Sequence, residues 1–266
     1  MLAAEKRFVD KLKTYLVFAG PTTLVFITVI ILPFLFGIYL TLTSWDGISK
    51  AYTFVGLANY AQVIRDSAYW ASFLRTVKYV FFTVLIVNSL GFALAYALTG
   101  NKVLGQNLLR TGFFVPNLIG GIILGLVWRF IFSNVLVYLG RTFGISFFSY
   151  SWLANPNKAL WTLIIVSVWQ YSGYMMIIFI AGLSNIPHEL VEAATIDGAN
   201  GFQRLRHIVL PLMVPSFAVT VFLTIQRGFM VYDVNLALTD GGPFKTTQLI
   251  SMHVYEKAFL AQQYGV

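Results

Sequence analysis

The sequence predicts an all-α polytopic transmembrane helical bundle, and three observations carry that prediction. Of 266 residues, 58% are hydrophobic and only 11% are charged, with mean hydropathy +0.76. Soluble domains carry about 25% charged residues, so this composition belongs in a bilayer. The apolar residues gather in five runs, each near the roughly 20 residues that a hydrocarbon core requires. Between the fourth and fifth runs lies one long polar-and-small segment, 186–211, of the kind expected at a membrane surface.

Taken in order, residues 1–14 form a tail with Lys6, Arg7, Lys11 and Lys13 ahead of the first apolar run. That run, 15–42, is too long for a signal-peptide core and lacks a small-residue cleavage site, so it is predicted as an uncleaved first span. Pro21 and Pro33 are tolerable there because neighbouring helices satisfy the freed backbone groups. A polar, aromatic-bearing connection, 44–76, follows and contains FVGLANY at 54–60. Further spans are predicted at 77–98, 111–128, 159–183 and 208–231, with connections at 99–110 and 129–158. Trp128 and Arg129 are expected to end the third span as interfacial anchors. Gly91, Gly112, Gly120, Gly121 and Gly125 allow close helix approach, and Gly121 with Gly125 has small-xxx-small spacing.

Several chemistries are excluded. With no cysteine there is no disulfide, thiol nucleophile or cysteine metal site. His188, His207 and His253 stand too far apart in sequence to suggest a metal site. No Walker A pattern occurs, so nucleotide hydrolysis has to come from another chain. The net charge of +8 is scattered at the ends of apolar runs, which fits membrane anchoring and gives no nucleic-acid face. Asp233, Asp240, Glu192 and Asp197 show no spacing suited to paired acid and base catalysis.

Segment 186–211, IPHELVEAATIDGANGFQRLRHIVLP, reads as helix, turn, helix. Asn185 can cap the first helix and Pro187 suits its opening turn, with Glu189 and Glu192 near the positive end of the backbone dipole. Gly198 is the natural stop. Asn200 and Gln203 have capping-box spacing, opening a second helix that carries Phe202, Leu205, Ile208 and Val209 on one stripe. Pro211 and Pro215 predict a kink where that helix enters the last apolar run.

Glu192-Ala193-Ala194, then Gly198, then Ile208-Val209-Leu210-Pro211 resembles the EAA loop of permease subunits of binding-protein-dependent ABC importers. Ile186-Pro187 and Asp197-Gly198-Ala199 resemble its carbohydrate-importer version, and 54–60 resembles the external segment of the maltose and glycerol-phosphate type. The resemblance implies that 184–211 is a cytoplasmic coupling loop docking into an ATPase subunit through Glu192, Ala193, Ala194, Asp197, Gly198, Ile208, Leu210 and Pro211. The density of basic residues along the chain favours the same orientation, with tail 1–14 cytoplasmic and 15–266 forming the permease domain. LTDGGPFKTT at 238–247 resembles the external turn of these permeases, where Gly241, Gly242 and Pro243 would face the binding protein; a tight turn is required there on local grounds alone. The family also implies a sixth span beyond Tyr264, which the sequence does not contain.

In this family the solute passes between the helices flanking the loop. Ser167, Gln170, Tyr171 and Tyr174 before it share a helical face, and Thr224, Gln226, Arg227 and Gly228 after it break an apolar helix. Tyrosine faces pack on the C–H surface of a sugar, while amide, hydroxyl and guanidinium groups bond its hydroxyls. The same side chains also suit an interfacial girdle, with Arg227 reaching the outer headgroups. The resemblance implies a sugar, oligosaccharide, polyol or glycerol phosphate as solute. It implies a second permease subunit as heterodimer partner, two ATPase subunits holding ATP and magnesium, and an external substrate-binding protein, with no cofactor or catalytic residue in this chain. An ion-coupled secondary transporter would need ionisable groups at mid-membrane on several spans, and few occur. A non-transporting membrane scaffold would leave the loop spacing without a reason.

Overall fold

The computed structural model describes residue 11, residues 13–100 and residues 105–265. Most of the predicted basic tail, including Lys6 and Arg7, lies outside the described residues, as does Lys102. The described chain is helical, and its one β-bridge, Thr43 with Phe54, closes a loop without forming a strand. Among the described residues, four helices are long and apolar enough to cross a membrane, or five if one bent pair counts as a single span. Numbered here in chain order, the four are α1 (Gly20–Thr41), α3 (Ser67–Gly100), α5 (Gly121–Thr142) and α6 (Ala159–Ser184). The bent pair is α8 (Gly201–Leu212) with α9 (Val214–Phe229), at 66°.

The contacts divide the chain into two compact units, one of residues 1–67 with 255–266 and one of Ala68–Val254. In the first, α1 has none of its hydrophobic window buried, the pattern of a helix whose surroundings are as apolar as itself. A π-turn at Ile27–Ile31 just precedes Pro33. A proline ring clashes with the carbonyl four residues back and lacks an N–H, and a widened turn relieves both. After the bridge, the Asp46 carboxylate accepts from Ile48 N, Ser49 N and Ser49 Oγ at 2.9, 2.7 and 2.6 Å. These bonds favour its ionised form and lower its pKa to about 2. The loop leads to α2 (Ala58–Arg65). Asp66 after α2 forms a 3.1 Å ion pair with Lys257.

In the second unit, α3 and α6 provide the core. Tyr79, Leu124, Leu163, Ile164 and Leu238 form one fully buried cluster; Val87, Met175, Met176, Phe179 and Met213 form another. A short helix α4 (Gln106–Phe114) precedes α5, and α10 (Asp233–Leu238) packs along α5. Gly125 makes that packing possible, since a Cβ there would lie 2.6 Å from Ala237 Cβ and 2.8 Å from Val234 O. Gly121 and Gly91 also sit in tight contacts, whereas Gly112 and Gly120 face open space.

The third predicted span, 111–128, is misplaced. Pro116 lies in a 3₁₀ turn, Val115–Leu118, and Gly120 is extended, so one apolar run becomes two helices. Beyond them α5 passes through Trp128 and Arg129 by a π-turn, Ile131–Val135, and ends at Thr142. The apolar residues of 130–137, which Ser133 and Asn134 interrupt, sustain it, and the connection expected at 129–158 is half helical. The second span is longer than 77–98, because residues 67–76, a mixture of polar and aromatic side chains, already belong to α3. The predicted kink near Pro211 and Pro215 falls at Met213, where α8 gives way to α9.

Candidate functional site

Two regions of the second unit bring the predicted residues together, one at each end of the bent α8–α9 pair. The first is the loop 186–211. Asn185 ends α6, its N–H donating to Gly182 O, and does not cap the next helix. Pro187 takes the cap position of α7 (His188–Ile196), with φ −59° and no side-chain bond. The chain turns too soon after α6 for Asn185 to serve both ends. At the other end of α7, Gly198 has φ +81°; its N–H donates to Thr195 O and that of Ala199 to Ala194 O, at 3.1 and 2.9 Å. This is the paired C-terminal closure that only glycine adopts without strain. Two residues on, the capping box forms: Gln203 N donates to Asn200 Oδ1 at 2.9 Å and Asn200 N to Gln203 Oε1 at 2.8 Å.

Within this loop Glu192, Ala193, Asp197, Gly198 and Pro211 are exposed, while Ala194, Ile208 and Leu210 are half-buried. Helix α7 has no buried residue. The apolar side chains of Ile196 and Phe202 stand 87% and 68% exposed beside the turn, a large apolar surface for a segment otherwise polar. Underneath, Val209 and Met213 are buried with Ile186, Leu205 and Phe179 around them. The loop thus has a bare outer face and an anchored inner one.

The second region lies at the far end of α9. A cavity of about 460 Å³ is lined by Gln170, Tyr171, Gln226, Arg227, Tyr232 and Asp233 among others. The Arg227 guanidinium lies over the rings of Tyr171 and Tyr174, 5.1 and 4.7 Å from their centroids, a cation–π arrangement. Its Nη1 also donates to Asn117 Oδ1 at 2.8 Å. Gln170 Nε2 donates to Ile119 O at 3.3 Å, and its buried Oε1 has no partner among the described residues. The cavity therefore offers hydrogen-bonding groups and aromatic faces side by side.

Gln170, Tyr171, Tyr174 and Arg227 are thus brought together. Ser167, Thr224 and Gly228 stand elsewhere, inside the helix packing. Ser167 Oγ shares a 2.6 Å hydrogen bond with Tyr79 OH. Thr224 Oγ1 donates to Thr220 O at 2.7 Å and accepts from Asn88 Nδ2 at 3.3 Å. A Cβ on Gly228 would meet Val80 Cγ2 at 2.8 Å. Asn117 and Tyr232 escape a reading of the sequence. Asn117 had a signal, a polar residue after Pro116 inside an apolar run; Tyr232 had none.

The turn at Gly241, Gly242 and Pro243 contains a cis Gly242–Pro243 peptide and Gly241 at φ +72°. Buried Asn235 and Thr247 hold it: Asn235 Nδ2 donates to Thr247 O, and Thr247 Oγ1 to Gly242 O, both at 2.8 Å. Phe244, at its tip, is 88% exposed.

Comparison with known proteins shows what this arrangement belongs to. A family model described as binding-protein-dependent transport system inner membrane component matches residues 88–255. The chain is 40% identical over 265 residues to a probable starch degradation products transport system permease protein of Thermoanaerobacterium thermosulfurigenes, covering 100% of this chain and 90% of that one. It is 32% identical over 263 residues to an sn-glycerol-3-phosphate transport system permease protein of Agrobacterium fabrum, covering 97% and 88%. Among solved structures, a bacterial ABC transporter involved in the import of the acidic polysaccharide alginate shares the fold, with TM-score 0.79 and 18% identity over 98% of this chain and 90% of that one. With its loop, its bent helix pair and its matched residues, the chain belongs to the family of inner membrane components of binding-protein-dependent transport systems.

Proposed function

We propose that this membrane permease subunit forms part of the pathway for a sugar, oligosaccharide or related polyol or glycerol phosphate in an ATP-driven importer. One observation carries the reading: the loop 186–211 and the Arg227 cavity occupy opposite ends of the same bent helix pair. Helix α9 has 16 residues, about 24 Å at 1.5 Å per residue, and its bend at Met213 separates a surface arm from the part that reaches the cavity. A displacement imposed on the arm moves the groups lining the cavity.

In this reading Glu192, Ala193, Ala194, Asp197 and Gly198 present the docking surface to an ATPase subunit, with Ile208, Leu210 and Pro211 anchoring it to the moving helix. Glu192 pairs with a basic group of the ATPase, and Ala193 and Ala194 allow close approach. ATP and magnesium reside on that partner, so the driving energy enters from outside this chain. The loop and the N-terminus face the cytoplasm. Gly241, Gly242 and Pro243 face an external substrate-binding protein, and a second permease subunit completes the pathway.

A hydroxylated solute suits the cavity. Its oxygens accept from the remaining guanidinium N–H groups of Arg227, its hydroxyls donate to Gln170 Oε1, and its C–H faces pack on Tyr171. Ser167, Thr224 and Gly228 enter the pathway only in a conformation that opens the packing around them.

Uptake into proteoliposomes tests the reading. Solute should accumulate only with ATP, the ATPase subunits and the binding protein all present. Accumulation driven by an ion gradient without them would contradict it.

A further inference from the structure

Helix α7 presents an unusual mechanical problem. It has no buried residue, so the hydrophobic core under the loop does not fix its direction. Its links to the rest of the chain are its two ends and its half-buried Val191 and Ala194. At its C-terminal end the chain passes through Gly198 at φ +81° and reaches the Asn200 cap two residues later. Closure and cap each satisfy the backbone of one helix, and neither bonds one helix to the other. Gly198 to Asn200 is therefore a hinge by its own chemistry.

One side-chain bond crosses that hinge. Arg204 Nη1, on α8, donates to Thr195 Oγ1, on α7, at 2.6 Å. Thr195 Oγ1 is already oriented, because it donates to Val191 O at 2.7 Å and so turns a lone pair outward. Arg204 is half-buried, which limits the freedom its guanidinium gives up on bonding. Its neighbour Leu205 packs in the cluster of Val209 and Met213, so the root of the brace is tied to the core that α7 lacks.

We infer that Arg204 is a positioning residue for coupling: through Thr195 it holds α7 at a fixed angle to α8, so that a push on α7 moves the α8–α9 pair instead of flexing the hinge. This rests on the reading that the loop docks to an ATPase. Arg204 touches neither the ATPase nor the solute in this account and acts through Thr195 alone.

The test uses the whole transporter, reconstituted with its ATPase subunits, second permease and binding protein. Because the chain has no cysteine, spin labels can be placed on it alone with His188→Cys on α7 and Arg206→Cys on α8 before assembly with its partner subunits, and their distance distribution measured without nucleotide. Uptake per ATP hydrolysed is measured on unlabelled protein. Arg204→Ala and Thr195→Val should each broaden the distribution and lower uptake per ATP about 2-fold to 10-fold, the scale of one hydrogen bond. Thermal stability and subunit assembly should not change. The double variant should be no worse than either single one, since both remove the same bond, and Arg204→Lys should restore part of the coupling. An unchanged distribution in Arg204→Ala overturns the brace. A broadened distribution with unchanged uptake per ATP overturns its role in coupling. Glu192→Lys separates the two readings: if it leaves uptake intact while Arg204→Ala still broadens the distribution, the docking reading fails and the brace stands only as loop architecture.

Discussion

The loop 186–211 and the Arg227 cavity are built by opposite means. In the loop each fixing bond spans a few residues: Asn200 with Gln203, Ala199 with Ala194, Arg204 with Thr195. In the cavity the fixing contacts join distant parts of the chain. Arg227 bonds Asn117 from 110 residues away, and Gln170 bonds Ile119 from 51 away. The loop can therefore keep its form while the bundle rearranges, and the cavity cannot. That division suits a machine in which one part must stay rigid to transmit force and another must change shape to release its cargo.

Substitutions that attack the two regions separately test the division. The largest effect is expected from Gly173→Ala in the bundle, where α6 packs against α4. A Cβ there would collide with the carbonyl of Phe113, a backbone group that cannot move aside cheaply. Overpacking of this kind costs about 1–3 kcal/mol, read as a fall in melting temperature in detergent, with the loop's own bonds untouched. Next comes Glu192→Lys. The side chain is exposed, so stability should change by less than about 0.5 kcal/mol, while ATP-driven uptake should fall at least about tenfold, the equivalent of 1.4 kcal/mol of lost partner contact. A chain that fails to insert in the membrane would instead mark Glu192 as structural.

Arg227→Gln should raise the solute concentration for half-maximal uptake about 3-fold to 30-fold, in line with losing one hydrogen bond from a charged donor to the solute. Maximal ATPase activity should persist. If half-saturation is unchanged, Arg227 serves as an anchor for the helix end. The smallest effect belongs to Asn200→Ala, which removes one half of the capping box at a cost of about 1 kcal/mol. It should appear as faster amide exchange in the first turn of α8 and leave solute affinity alone. An altered affinity would mean that the two regions are less separate than their bonding suggests.

The same contrast explains what the sequence made legible. Gly198 as a stop, Asn200 with Gln203 as a cap, and the kink near Pro215 rest on neighbours in the chain, and the structure shows all three. Asn185 closes α6 and does not open α7, a distinction the sequence hides because the same residue type suits both ends. The break at Pro116 lay inside a run whose hydropathy alone reads as one span. Periodicity placed Ser167 and Gln170 on one face, but it carries no information about which neighbour that face meets. Tyr79, 88 residues away, takes the Ser167 hydroxyl, while Gln170 lies against the cavity. Asn117 meets Arg227, and Tyr232 lines the cavity, only through the tertiary fold.

If force enters at the loop and acts on the solute at the cavity, the two regions should fail in different ways. The most direct measurement records uptake and ATP hydrolysis together in proteoliposomes, comparing Glu192→Lys with Arg227→Gln. Glu192→Lys is expected to lose uptake at every solute concentration, whereas Arg227→Gln regains it when solute is raised. Full uptake in Glu192→Lys, or a loss in Arg227→Gln that no solute concentration repairs, would contradict this division.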